Sequence, residues 1–153
     1  MNAGPIGAPR FSAGLLAFSR IPFRLLSIGV PMGPLALLET QGRRSGRSHR
    51  VPVVLLRSGE ERWLVSPFGN TSWVLNVRAG SHVRLGRGRR LRSIELTELP
   101  IAERAPLLRI FRRRFGAIPF VRAAFDASGR DSIDAFAAEA DRHPVFRITR
   151  TAA

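Results

Sequence analysis

Short apolar runs between residues 35 and 98 are joined by tight glycine turns rather than by helices long enough to cross over a sheet. Strands joined this way must run antiparallel, because a parallel pair needs a crossover of about a dozen residues or more. Leu35 to Thr40 reads as a strand. Val51 to Leu56 reads as a second, buried one, turned at Ser58-Gly59-Glu60 into a return strand over Arg62 to Ser66. Val83 to Leu85, a Gly86-Arg87-Gly88-Arg89 turn and Leu91 to Glu98 make a further hairpin. In its second strand the alternation of Leu91, Ser93 and Glu95 against Arg92, Ile94 and Leu96 fits one buried face. The arginines at its tip read as solvated.

One short helix interrupts the strands. Pro67 to Thr71 breaks the chain, and Thr71 or Ser72 caps a helix over Trp73 to Ala79 that Gly80 ends. Trp73, Asn76 and Val77 share one of its faces. Ile101 to Phe115 is expected to be a longer helix, with a stripe of Leu107, Leu108, Phe111 and Phe115 and with Arg112, Arg113 and Arg114 at the end that suits cations. A short segment carrying Phe120 and Phe125 follows. A helix over Ser132 to Arg142 comes next, with Ile133, Phe136 and Ala140 inward and Asp131 or Ser132 near its cap. Val145 to Thr149 closes the chain as a strand, Val145 and Arg147 on one side and Phe146 and Ile148 on the other. The pattern predicts an α+β, mainly β protein: a small barrel with helical decoration.

Residues 1–34 read as a separate arm, and residues 35–153 as the barrel domain. From Phe11 the arm is largely apolar, but Arg20 and Arg24 sit inside it and Pro22, Pro31 and Pro34 break it. It makes a poor membrane span and lacks the pattern of a signal peptide. One or two amphipathic helices are expected, packed on the domain or lying on a membrane surface.

The net charge is +14, and all 25 basic residues are arginine. That balance favours anionic partners. No specific nucleic-acid signature stands out. Cysteine is absent, which excludes disulfides and thiolate metal sites and is compatible with a reducing compartment. His49, His82 and His143 have no metal-ligand spacing. The glycines match neither the dinucleotide nor the P-loop fingerprint.

The densest cluster of chemistry is Gly42 to Pro52, which carries four arginines, His49, Ser45 and Ser48 between two apolar strands. Glycine allows the backbone to curl so that N–H groups converge, and arginine offers a planar fork of donors to phosphate or carboxylate. The turn reads either as an anion cradle or as a solvated basic hairpin.

Gly42-Arg-Arg-Ser-Gly46, then Val51-Pro52, then Val65-Ser-Pro-Phe-Gly69, then Trp73-Val-Leu-Asn76-Val-Arg-Ala79 resemble, in that order and spacing, the deazaflavin-dependent nitroreductase family. That family uses coenzyme F420 on a split β-barrel related to the pyridoxamine-phosphate oxidases. The likeness covers roughly residues 35–99, and His143 to Arg147 also looks like the ending of many relatives. The resemblance implies that Arg43, Arg44, Ser45 and Gly46 bind the coenzyme's phosphate and acidic tail. His49 stands where relatives often have arginine, and Arg50 would supply the missing charge. Val51 and Pro52 would flank the deazaflavin ring or its ribityl chain. Val65, Ser66, Pro67, Phe68 and Gly69 match a loop whose backbone bonds the ring edge. Trp73 and Asn76 match the helix closing that side, as direct contacts or as a core anchor and a helix-end hydrogen bonder.

The activity implied is hydride transfer between F420 and a quinone-like, nitro or other conjugated small-molecule acceptor, in the cytoplasm or peripherally at the inner face of the plasma membrane. A homodimer is expected by analogy. The alternatives are a carrier or sensor without turnover on the same barrel, and FMN as the cofactor. Relatives often use late tyrosines in catalysis, and this chain has no tyrosine. His49, Ser66 and water are the candidate proton donors.

Overall fold

The computed structural model describes residues 35–150. The expected arm lies outside the described residues. The described strands are β1 (Leu35–Gln41), β2 (Ser48–Ser58), β3 (Glu61–Val65), β4 (Val83–Arg87), β5 (Arg90–Glu98) and β6 (Val145–Arg150). They close into an antiparallel barrel in the order β1-β2-β3-β6-β5-β4. The last strand fills the gap between β3 and β5, so the two hairpins at the N-terminal side are joined through the C-terminus.

The apolar pattern decides which face of each strand points inward. Ala36 and Leu38, Val53 and Leu55, Leu64, Val83 and Leu85, Ile94, Phe146 and Ile148 fill the barrel. Helix α1 (Ser72–Arg78) packs Trp73 and Val74 against this interior, and the Trp73 and Phe146 rings lie 5.4 Å apart. The opposite faces of β2, β3 and β6 are covered as well. Val54, Leu56, Trp63, Val65 and Val145 pack under α2 (Ala105–Phe115), α3 (Pro119–Ala124) and α4 (Ile133–Glu139). This explains why Val53 to Leu56 is a continuous apolar run: it is a strand buried on both sides.

Four expectations are corrected. The helix expected over residues 101–115 is broken. A 3₁₀ turn (Ile101–Glu103) precedes α2, Ile101 is 52% exposed, and Pro106 sits at the start of α2, where its missing N–H costs nothing. The break places Arg104 in the interior. It donates to the Leu99 and Ala140 carbonyls and to Glu98 Oε2, which also takes a hydrogen bond from Arg78. The helix expected over Ser132 to Arg142 ends at Glu139 and continues as a 3₁₀ turn (Ala140–Arg142). Ile133 in its first turn faces solvent at 44% exposure, because Phe136 takes the buried face against Phe125. Leu91 is buried, yet on the outer side of the barrel with Leu37, while Ile94 points inside. Gly86 lies opposite both Leu37 and Leu91, and a Cβ there would come within 2.0 Å of the Arg90 carbonyl.

Helix α1 begins one residue earlier than expected, and Thr71 occupies its N-cap position without a side-chain cap bond. The carbonyl of Thr71 accepts from Leu75, and Gly80, at φ 88°, lies just past the C-terminus.

Candidate functional site

The β1–β2 connection folds on itself. Gly46 donates to the Gly42 carbonyl and Gly42 to the Arg47 carbonyl, each at 2.8 Å. Gly46 has φ 68°, the left-handed backbone that glycine adopts most freely. Ser45 Oγ accepts the Arg47 N–H at 3.2 Å. A side chain at Gly42 would meet Ser45 Oγ and the His49 ring, which would have to move aside.

Asn76 ties this turn to α1. Its side-chain oxygen accepts the Arg43 backbone N–H at 3.2 Å and Arg43 Nη1–H at 3.0 Å, and its Nδ2 donates to Thr40 Oγ1 at 3.1 Å. Both Asn76 and Thr40 are buried. Between the turn and the start of α1 opens a cleft of about 310 Å³ lined by Thr40, Gly42, Arg43, Arg44, Ser45, His49, Val51, Thr71, Ser72, Trp73 and Asn76.

The cleft therefore gathers Arg43, Arg44, Ser45, His49, Val51, Trp73 and Asn76 from among the residues singled out in the sequence. Gly42, the first residue of the glycine-arginine turn, lines it too, whereas Thr40, Thr71 and Ser72 were missed as site residues. Thr71 and Ser72 carried a signal, a pair of hydroxyls at the head of the helix facing the glycine turn, but that signal also reads as a simple cap.

Other expected residues lie elsewhere. Gly46 shapes the turn without lining the cleft. Pro52 lies opposite Leu37 on the β1–β2 pair, away from the cleft lining. Arg50, expected to supply the missing charge, lies outside the cleft lining and is paired: its Nε donates to Glu39 Oε2 at 2.8 Å, and Arg84 donates to the other oxygen at 3.1 Å. The three residues form one cross-strand row, Glu39 opposite both arginines. Their hydrogen bonds, that from Arg50 foremost, hold the Glu39 carboxyl below the usual range against the opposing effect of burial.

The loop of residues 65–69 turns toward the helical side. Val65 is part of the core under the helices. Ser66 is buried, and its hydroxyl donates to the Gly69 carbonyl at 2.7 Å. The Pro67 carbonyl accepts from His143 Nδ1 at 2.7 Å. Phe68 lies 6.1 Å, ring to ring, from Phe120 of α3. The carbonyls of Ser66, Pro67 and Gly69 are thus already engaged within the protein.

The cleft suits an elongated anion with an apolar portion. Arg43 and Arg44 form no ion pair among the described residues. Thr71 Oγ1 is buried and has no hydrogen-bond partner among the described residues, an orphan that a polar ligand group would satisfy. Val51 and Trp73 offer apolar surface beside these donors. The donor set and the orphaned hydroxyl fit a phosphorylated, ring-bearing cofactor.

Comparison with known proteins bears on the same region. No curated protein matches the chain. A solved structure described as a domain-swapped dimer is 19% identical, covers 90% of this chain and 100% of its own, and superposes with a TM-score of 0.52. An F420-H2 dependent reductase, FDR-A, is 20% identical over 76% of this chain and 94% of its own, with a TM-score of 0.50. A putative pyridoxamine 5'-phosphate oxidase from Listeria innocua is 14% identical over 86% of this chain and 92% of its own, at 0.48. The likeness to the first two shows a shared fold, the six-stranded antiparallel barrel with its helices. The family model of the F420H(2)-dependent quinone reductases matches residues 26–119, which takes in the glycine-arginine turn, α1 and five of the barrel strands. With that match over most of the chain, the protein belongs to the F420H(2)-dependent quinone reductase family, a family of oxidoreductases that use coenzyme F420.

Proposed function

We propose that the protein binds coenzyme F420 in the cleft between the β1–β2 turn and α1 and reduces a quinone-like, nitro or other conjugated acceptor. The observation that carries this reading is the pair of arginines, Arg43 and Arg44, that face the cleft without an acidic partner among the described residues, in a chain of this family. When bound, the coenzyme supplies the hydride, and the protein's part is position and electrostatics.

Arg43 and Arg44 hold the phosphate and acidic tail by charge-assisted bonds, with Ser45 adding a hydroxyl. Thr71 offers its unpaired hydroxyl to a polar group of the ligand. Val51 and Trp73 give the ring an apolar wall, and burial of Trp73 keeps that wall fixed. His49, which lines the cleft, is the candidate proton donor in place of the late tyrosines that this chain lacks. The arm of residues 1–34 belongs, in this reading, to acceptor access or membrane contact, and residues 35–153 form the coenzyme domain. A homodimer accords with the solved dimer of the same fold, and a cytoplasmic or peripheral location suits an enzyme using a soluble coenzyme and a quinone-like acceptor.

The experiment is a stopped assay of reduced F420 oxidation over a panel of quinones and nitroaromatics, run beside a binding titration. Turnover with at least one acceptor is expected. Binding without turnover across the panel would leave a carrier or sensor, and binding of FMN in preference to F420 would replace the cofactor.

A further inference from the structure

We infer that Asn76 positions Arg43 for an anionic ligand while leaving its charge uncancelled, an inference that rests on the coenzyme site proposed above. The Arg43 backbone and its Nη1 both present N–H donors to one atom of Asn76, so that atom must be the amide oxygen. The amide nitrogen is thereby aimed at Thr40 Oγ1, a buried acceptor on β1. Three elements meet in this string: β1 through Thr40, α1 through Asn76 and the turn through Arg43. Each link is a buried or partly buried hydrogen bond, and Asn76 is only 2% exposed.

The chemistry of the acceptor is the informative part. Elsewhere arginines are held by carboxylates: Arg50 and Arg84 by Glu39, Arg78 and Arg104 by Glu98. A carboxylate fixes the guanidinium and at the same time offsets part of the positive charge that each such pair of arginines carries. At Arg43 the fixing group is a neutral amide. One guanidinium edge is tied down, and the remaining N–H donors keep their full positive charge for the cleft. A carboxylate at the same position would hold the side chain as well and compete with the ligand for it.

Coenzyme F420 binding is measured by fluorescence for the wild type, Asn76→Ala, Asn76→Asp, Arg43→Ala and the double variant Arg43→Ala with Asn76→Ala, with the melting temperature of each. Asn76→Ala should weaken binding roughly tenfold, the loss of a preorganised charge-assisted bond. In the Arg43→Ala background the same change should add nothing, because Asn76 acts through Arg43. Asn76→Asp keeps both acceptor bonds to Arg43 and should still fail to restore affinity. The inference is overturned if Asn76→Ala weakens binding equally with and without Arg43, or if Asn76→Asp binds like the wild type.

Should Asn76→Ala not fold, Thr40→Val removes the acceptor that orients the amide. It should give a smaller loss that likewise vanishes without Arg43. The same cycle is run with inorganic pyrophosphate, followed at the Ser45 and Gly46 amide resonances. Non-additive loss of pyrophosphate with no coenzyme binding would uphold the role of Asn76 and reject the coenzyme reading. Failure of the wild type to bind either ligand would reject both.

Discussion

Two buried polar networks lie at opposite ends of the loop between β3 and α1, and they are built to opposite ends. On the barrel side, Thr40, Asn76 and Arg43 form a string that finishes in a guanidinium facing a cleft. On the helical side, Glu139 accepts the backbone N–H groups of Asp126 and Ala127, and its Oε1 lies 2.6 Å from His143 Nε2. The other ring nitrogen, Nδ1, must carry a proton, since it meets the Pro67 carbonyl. The His143 ring also stacks on Phe125 at 4.2 Å. A single proton lies between His143 and Glu139 whichever of them holds it, so the pair carries no net charge. Each polar atom of that network named here has a partner inside the protein. The helical network is closed and serves the fold. The barrel network ends in a charge aimed at solvent, and such an end is what a binding site requires.

That difference predicts which changes hurt stability and which hurt binding. Glu139→Ala should have the largest effect. It strands the His143 nitrogen and two backbone N–H groups, and breaking a buried pair in this way costs about 3–5 kcal/mol. Urea unfolding measures it, and the coenzyme affinity of the folded fraction should stay unchanged. Next comes Arg43→Ala combined with Arg44→Ala. Loss of two charge-assisted contacts should weaken coenzyme binding by about 3 kcal/mol or more, roughly a hundredfold in Kd. The stability loss should be small, about 1 kcal/mol for the Arg43–Asn76 hydrogen bond, because neither side chain pairs with a carboxylate among the described residues.

Glu39→Gln probes the paired arginines that the cleft does not use. Glu39 is held below the ordinary carboxylate range, so its contribution is full above the pKa of the unfolded chain and is lost as pH falls through the lower folded value. Wild-type stability should therefore drop on acidification below about pH 4.5, the unperturbed value, and the Gln variant should show a shallower drop. The loss at neutral pH should be about 1 kcal/mol, discounted because Arg50 and Arg84 are 40% and 38% exposed. Ser66→Ala is the smallest change. It removes the bond to Gly69 and should cost about 1 kcal/mol of stability, with turnover retained if Ser66 donates no proton to the acceptor.

Much of the barrel was legible because glycine turns and apolar runs are local signals. The strand of residues 51–56 and the hairpin at Gly59 needed no tertiary knowledge. Arg104 shows where the reading fails. In the sequence it is one arginine among many inside an amphipathic stretch, and only the meeting of Leu99, Glu98 and Ala140 makes it an interior residue. Ile133 fails for a related reason: in so short a helix Phe136 and Glu139 set the buried face. At the site, the turn and the Trp73 to Asn76 face could be read from residue type and spacing. Arg50 could not be separated from Arg43 and Arg44 in that way. The partner that pairs with it, Glu39, comes from the strand before, and the sequence carries no sign that Arg84 joins it.

The central claim is that the Arg43–Arg44 cleft holds a deazaflavin coenzyme. A fluorescence titration of coenzyme F420 into the purified protein, run beside FMN, tests it most directly. The account predicts saturable quenching of F420 at micromolar protein, lost in the Arg43→Ala, Arg44→Ala variant, and weaker binding of FMN. No quenching at high micromolar protein, or quenching that survives the loss of both arginines, would contradict it.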